Sequence, residues 1–248
     1  APIPLPLALG AQRTIVPSVR SADQWILREG DGDRSQMMKA VELSSTDSGN
    51  PLFDHVRLGT IAAHATSRQV DQVLRGASQQ GEDPGYTLAK QLKAIAELVR
   101  ADVGVRIFFA EIGGGGIGGF DNHANQRDNH AALLREISRS IAAFVDDLNR
   151  AKLLDRVLLM TFSEFGRTLS ENGRRGPGHG AAAPVFLAGG RIGGGLVGRH
   201  PSLTDLEADA PKHHTDYRQV YATVLDRWLG FDSEAILGEK YRPLDVFV

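Results

Sequence analysis

Apolar residues recur at helical spacing in four stretches of the chain. The first runs from Leu52 to about Leu74 and carries Val56, Ile61, Ala62, Ala65, Val70, Val73 and Leu74. It predicts one helix or two short ones, with Pro51 in the favoured first-turn position and Gly59 as a weak point. The second places Leu88, Leu92, Ile95, Ala96 and Val99 on one face. The third is the strongest, with Leu133, Leu134, Ile137, Ile141, Phe144, Val145 and Leu148 opposite a charged face. Asp128 is its expected N-cap. The fourth runs from about Asp216 to Leu229, with Val220, Tyr221, Val224, Leu225, Trp228 and Leu229 inward. Thr215 is its expected cap, and Gly230 stops it.

Three other runs read as strands. Residues 103–112 are rich in branched and aromatic side chains, and residues 155–162 are apolar through their middle. Residues 184–190 make the third. Strands and helices in this rhythm predict a three-layer α/β/α sandwich with a mostly parallel sheet. Residues 1–50, with prolines at 2, 4, 6 and 17, read as an extended, loop-rich segment before an α/β domain over 51–248. Within that segment a strand at 12–16 and a helical turn at 22–28 are expected. The turn at 30–33 lacks the spacing and closing glutamate of a calcium loop.

Composition narrows the chemistry. A length of 248 residues with 42% hydrophobic content is enough for a substantial core, so disorder is not expected. The net charge of −2 and the lack of a basic stripe interleaved with aromatics argue against nucleic acid, despite the pair Arg174-Arg175. With no cysteine, thiolate metal sites and thiol nucleophiles are excluded. No stretch is apolar enough to span a bilayer, and the proline-broken start does not read as a signal peptide.

Ligands in parallel sheets bind beyond the carboxyl ends of the strands. That rule gathers Asp121 and His123, which follow the glycine run 113–119, with Ser163 to Arg167 and His179. Residues two apart on an extended loop point the same way, so Asp121 and His123 can reach one ion. The alternative is that Asp121 caps a turn and His123 bonds a carbonyl. His130 is a weaker candidate. Glu164 can ligate a metal or orient a histidine, and the planar fork of Arg167 matches an oxyanion. The two can equally form an ion pair with each other. His179 sits between glycines, and His213-His214 precedes a helix, where one of the two can serve as a ligand. The glycines at 189–195 lack P-loop and dinucleotide spacing and read as a turn.

Three blocks carry a resemblance. They are Gly118-Gly119-Phe120-Asp121-Asn122-His123-Ala124-Asn125-Gln126, then Phe162-Ser163-Glu164-Phe165-Gly166-Arg167-Thr168 with Glu171-Asn172-Gly173, then His214-Thr215-Asp216-Tyr217-Arg218-Gln219-Val220-Tyr221. In order and spacing, from about residue 85 onward, they resemble the bacterial exported family called domain of unknown function 1501. The resemblance implies an alkaline-phosphatase-like or sulfatase-like fold and a periplasmic or secreted protein. It implies that Asp121, His123 and His214 hold one metal and that His179 contributes to a second. Two departures stand out: Gly178 precedes His179 where the family usually has Asp, and Asn122 replaces a threonine. The family pattern also has an upstream Gly-Gly-Asp block, bearing a further ligand and a hydroxyl nucleophile, which is expected to be missing here.

Two functions are therefore expected. The first is a metal-dependent hydrolase of phosphate or sulfate esters, acting on a small-molecule or glycan ester. A divalent ion (zinc, calcium, magnesium or manganese) would sit on Asp121, His123 and His214, with His179 and Glu164 nearby and Arg167 on the oxyanion. The second is a non-catalytic protein on the same fold that binds a glycan, a lipid or a partner through a degenerate site. The lost acid before His179 favours the second. The joint presence of the other site residues places the first ahead.

Overall fold

The structure, a computed structural model, describes residues 49–76, 84–113 and 119–248, together with 36, 40 and 41. The elements expected at 12–16, 22–28 and 30–33, and the glycine-rich residues 114–118, lie outside the described residues. The chain divides into two compact units, Ala1–Gly81 with Lys90–Ala110, and Glu82–Ala89 with Glu111–Val248.

Helix α1, Pro51–Gly76, belongs to the first unit and runs unbroken through Gly59. Asn50 caps it, its Oδ1 accepting from the Leu52 and Phe53 amides at 3.1 and 3.3 Å. Proline one place inside the start costs nothing, because its missing N–H would have had no helical partner. Helix α2, Thr87–Ala101, starts in the second unit and continues into the first. Leu88, Leu92 and Ala96, four residues apart, are all buried. The run 103–112 forms no strand. Its branched and aromatic side chains fit a pleated surface, but β-propensity does not supply a neighbouring strand to pair with.

In the second unit α3, Gln126–Arg150, buries Leu133, Ser140, Phe144 and Leu148 along the predicted stripe. Its N-cap is Asn125 rather than Asp128, which lies in the first turn. Leu148 is fully buried. A short 3-10 turn, Leu154–Arg156, leads into β1, Leu158–Met160. Strands β2, Gly166–Glu171, and β3, Pro177–Gly180, follow, then β4, Leu187–Gly189. A tight hairpin of β5, Leu206–Glu207, and β6, Ala210–Pro211, precedes the last helices. Its two turn residues, Ala208 and Asp209, have φ of 47° and 62°. Positive φ at both central positions matches the right-handed twist of the flanking strands.

The three-layer α/β/α sandwich is therefore overturned. Among the described residues the strands form only two-stranded sheets, β1 with β4, β2 with β3 and β5 with β6, and every pair is antiparallel. The runs expected at 155–162 and 184–190 do pair, Leu158 opposite Gly189 and Met160 opposite Leu187, but in opposite directions. A parallel pair needs a crossover, usually a helix. The segment between β1 and β4 instead carries the β2–β3 hairpin, so the chain returns the opposite way.

Helix α4, Tyr217–Thr223, runs on into a π-helical turn, Val224–Leu229, which Gly230 ends at φ 70°. The cap is Asp216, not Thr215, in a reciprocal capping box with Gln219. Thr223, 1% exposed, is satisfied on both sides, donating to the Gln219 carbonyl and accepting from the Leu244 amide. That bond fixes the C-terminal tail, whose Phe247 bridges Ile192 in antiparallel fashion. Helix α5, Ser233–Leu237, is capped by Asp232. No described helix is long and apolar enough to cross a membrane.

Candidate metal centre

Asp121 and His123 lie on the loop that enters α3. The loop holds its shape by local bonds: Asn122 Oδ1 accepts from the Ala124 amide at 3.1 Å, and Asn129 of α3 donates to the Gly119 carbonyl at 3.1 Å. Asn125 takes a left-handed conformation at φ 46°, which asparagine tolerates better than most residues.

The β2–β3 hairpin docks on this loop. Asn172 donates from Nδ2 to the His123 carbonyl at 3.0 Å. The amides of Asn125 and Gln126 donate to the carbonyls of Arg174 and Arg175, each at 3.0 Å. Those amides open α3, so the hairpin tip satisfies helix-start donors that would otherwise need another partner. Gly176 makes the approach possible, because a Cβ there would stand 2.3 Å from the His123 carbonyl carbon.

Pairing in the hairpin sets Arg167 opposite His179. Both side chains reach Asp121. Its Oδ1 lies 2.9 Å from His179 Nε2, 2.9 Å from His123 Nε2 and 3.1 Å from Arg167 Nη2. The two histidine Nε2 atoms are 3.0 Å apart. Arg167 Nη2 also donates to the Phe120 carbonyl at 2.6 Å, while its Nη1 is buried with no partner. Phe165 stacks on the His179 ring at 3.7 Å between centroids and 9° between planes.

Protons decide what this arrangement can do. His123 Nδ1 faces the Pro177 carbonyl at 3.0 Å, and a carbonyl only accepts, so Nδ1 carries the hydrogen. In the neutral ring, Nε2 is then a bare lone pair aimed at a carboxylate oxygen. His179 Nε2 can offer one hydrogen to that crowded space. When both rings are neutral, the three atoms therefore share one imidazole hydrogen, with a second reaching Asp121 Oδ1 from Arg167 Nη2, and His123 Nε2 stays a lone pair against its neighbours, an arrangement a cation relieves. Carbonyl support of the far nitrogen is also how proteins orient metal-binding histidines. The hydrogen bond with His179 is the largest influence and holds the Asp121 carboxyl below its usual range; desolvation opposes it, and the hydrogen bond from Arg167 adds to the lowering. Asp121 thus stays ionised, as a ligand must.

Asp121, His123 and His179 form a group able to hold a metal ion, and the donor set of two imidazoles and a carboxylate suits one. The other expected residues stand elsewhere. Glu164 is exposed and outside the group. His214 is also outside it; its Nδ1 lies 2.8 Å from Thr215 Oγ1, and its ring lies against Gly198. His130 meets the Phe120 ring edge-on at 5.8 Å between centroids. The supports Phe165, Pro177, Asn172 and Gly176 were not singled out as functional from sequence. Asn172-Gly173 before Gly176 was their visible signal, since such residues mark tight turns.

The class defined so far is a protein with a partly exposed Asp-His-His centre, assembled by a helix-entry loop and one β-hairpin. The family model for a protein of unknown function, DUF1501, matches residues 12–242, and the chain belongs to that family. No curated protein and no solved structure matches it.

Proposed function

We propose that this chain binds a divalent metal ion through Asp121 Oδ1, His123 Nε2 and His179 Nε2, and that it hydrolyses phosphate or sulfate esters at that centre. The convergence of three ligand atoms at 2.9–3.0 Å carries the reading. A tetrahedral ion with bonds near 2.0–2.1 Å needs ligand atoms about 3.3 Å apart, so loading opens the triangle by only a few tenths of an ångström. Such an ion supplies Lewis-acid activation of water and of an ester oxygen. Three protein ligands leave room for a substrate, and the side chains of Asp121, His123 and His179 are 39%, 37% and 47% exposed. Arg167 fastens Asp121 through Nη2, and Phe165 fixes the plane of His179. The ester class and an exported location rest on the resemblance of the three sequence blocks.

The missing acid beside His179 favours the competing reading of a binding protein with no turnover, and one experiment separates the two. After dialysis against zinc or manganese, elemental analysis is expected to find metal in the wild type. His179→Ala is expected to weaken metal affinity at least about 100-fold, beyond the loss typical of a supporting residue. Wild-type protein without metal overturns the centre. Metal without hydrolysis of p-nitrophenyl phosphate or sulfate leaves the binding protein.

A further inference from the structure

The arginine expected on an oxyanion is already engaged. Arg167 gives Nη2 to Phe120 and Asp121, and its Nη1 is shut off from solvent. Two other arginines lie on the hairpin that docks against the loop bearing Asp121 and His123. Arg174 and Arg175 occupy the tip of the β2–β3 hairpin and are exposed. Neither guanidinium has a hydrogen-bond or ion-pair partner among the described residues. Their backbone, in contrast, is held at every point. The Arg174 and Gly176 amides donate to Asn172 Oδ1 at 2.8 and 3.3 Å, and the Arg175 amide donates to the Asn172 carbonyl at 3.0 Å. Their own carbonyls cap α3, one residue beyond the ligand loop. A peg whose backbone is held against Asn125 and Gln126, two and three residues beyond His123, thus presents two unengaged cations.

We infer that Arg174 and Arg175 form the anion-recognition element of this site, and that they select substrates with a tetrahedral anionic group such as a phosphate or sulfate ester. The inference rests on the proposed centre and assigns the part of it that chooses the substrate. A guanidinium presents paired donors that fit two oxygens of such a group. Glu171, at the end of β2, is the nearest acid along the hairpin and forms no ion pair with either arginine among the described residues. With a divalent ion loaded, the local charge is positive, which draws anions toward the centre.

The test uses inorganic sulfate as the probe, titrated calorimetrically into the full chain with and without zinc. The variant is Arg174→Gln with Arg175→Asn, because Arg175 has φ 63° and asparagine tolerates that conformation. The capping carbonyls belong to the backbone, so the fold is expected to survive, as a thermal scan will show. Sulfate affinity should fall about tenfold or more in the variant, as expected for losing charge-assisted hydrogen bonds. Metal content should match the wild type, and Arg174→Lys with Arg175→Lys should recover only part of the affinity, because lysine keeps the charge but not the paired donors. Equal affinity in wild type and the Gln/Asn variant overturns the inference, as does wild type that binds no sulfate. If zinc is not retained but sulfate binding still needs the two arginines, the anion site stands and the metal centre falls.

Discussion

Asp121 and Asp216 are both carboxylates gripped by an arginine, and both titrate below the ordinary range. Their surroundings separate them. Asp216 takes everything from nearby in sequence: Oδ1 accepts from the Arg218 amide and Nε, each at 2.9 Å, and Oδ2 accepts from Arg218 Nη2 at 2.6 Å. The Arg218 side chain, then its amide, bring this carboxyl down to about 2. Both oxygens are used, and the product is a helix cap. Asp121 gathers partners from 46 and 58 residues away, and all its contacts fall on Oδ1. A depressed carboxyl therefore says little by itself. Chemistry is signalled by distant groups that meet with fewer protons than acceptors.

Three substitutions test the contrast. Gly176→Ala should have the largest effect, since its Cβ would overlap the His123 backbone. It is expected to cost about 3 kcal/mol, the upper range for overpacking against something that cannot yield. Metal affinity should fall with it, measured by urea titration and elemental analysis. Retention of both would show that the hairpin does not position His123.

Asp216→Ala should cost about 1 kcal/mol through the lost cap and leave metal content unchanged. The folded carboxyl lies below its unfolded value near 3.9, so its contribution is complete above that pH and disappears as pH falls through about 2. Urea midpoints of variant and wild type should therefore differ at pH 7 and draw together toward pH 2. A metal loss in this variant would break the division between cap and centre. His214→Ala should do least, within about 0.5 kcal/mol in stability and without effect on metal content. A fall in metal content would bring His214 back to the ion.

The helices were legible because a buried face leaves a periodic trace, and that of Leu133 to Leu148 is continuous. Sheet direction leaves no such trace. Residues 155–162 and 184–190 read as buried strands, and nothing in their pattern tells antiparallel from parallel. The centre was half legible. Asp121 and His123 were readable from their spacing, and His179 from its glycine neighbours. The stack of Phe165 on His179, and the Pro177 carbonyl behind His123, depend on how the hairpin pairs and docks, which no local pattern encodes.

That pairing carries a safeguard. Arg167 faces His179 across the hairpin, and His179 has a glycine on each side. A slip of one residue turns every side chain of a strand to the other face. Here it would set Gly178 or Gly180 in place of the imidazole. A misassembled hairpin then brings no imidazole from this strand to the candidate centre. The glycines make the site all or nothing: it is read out only when the strands are in step.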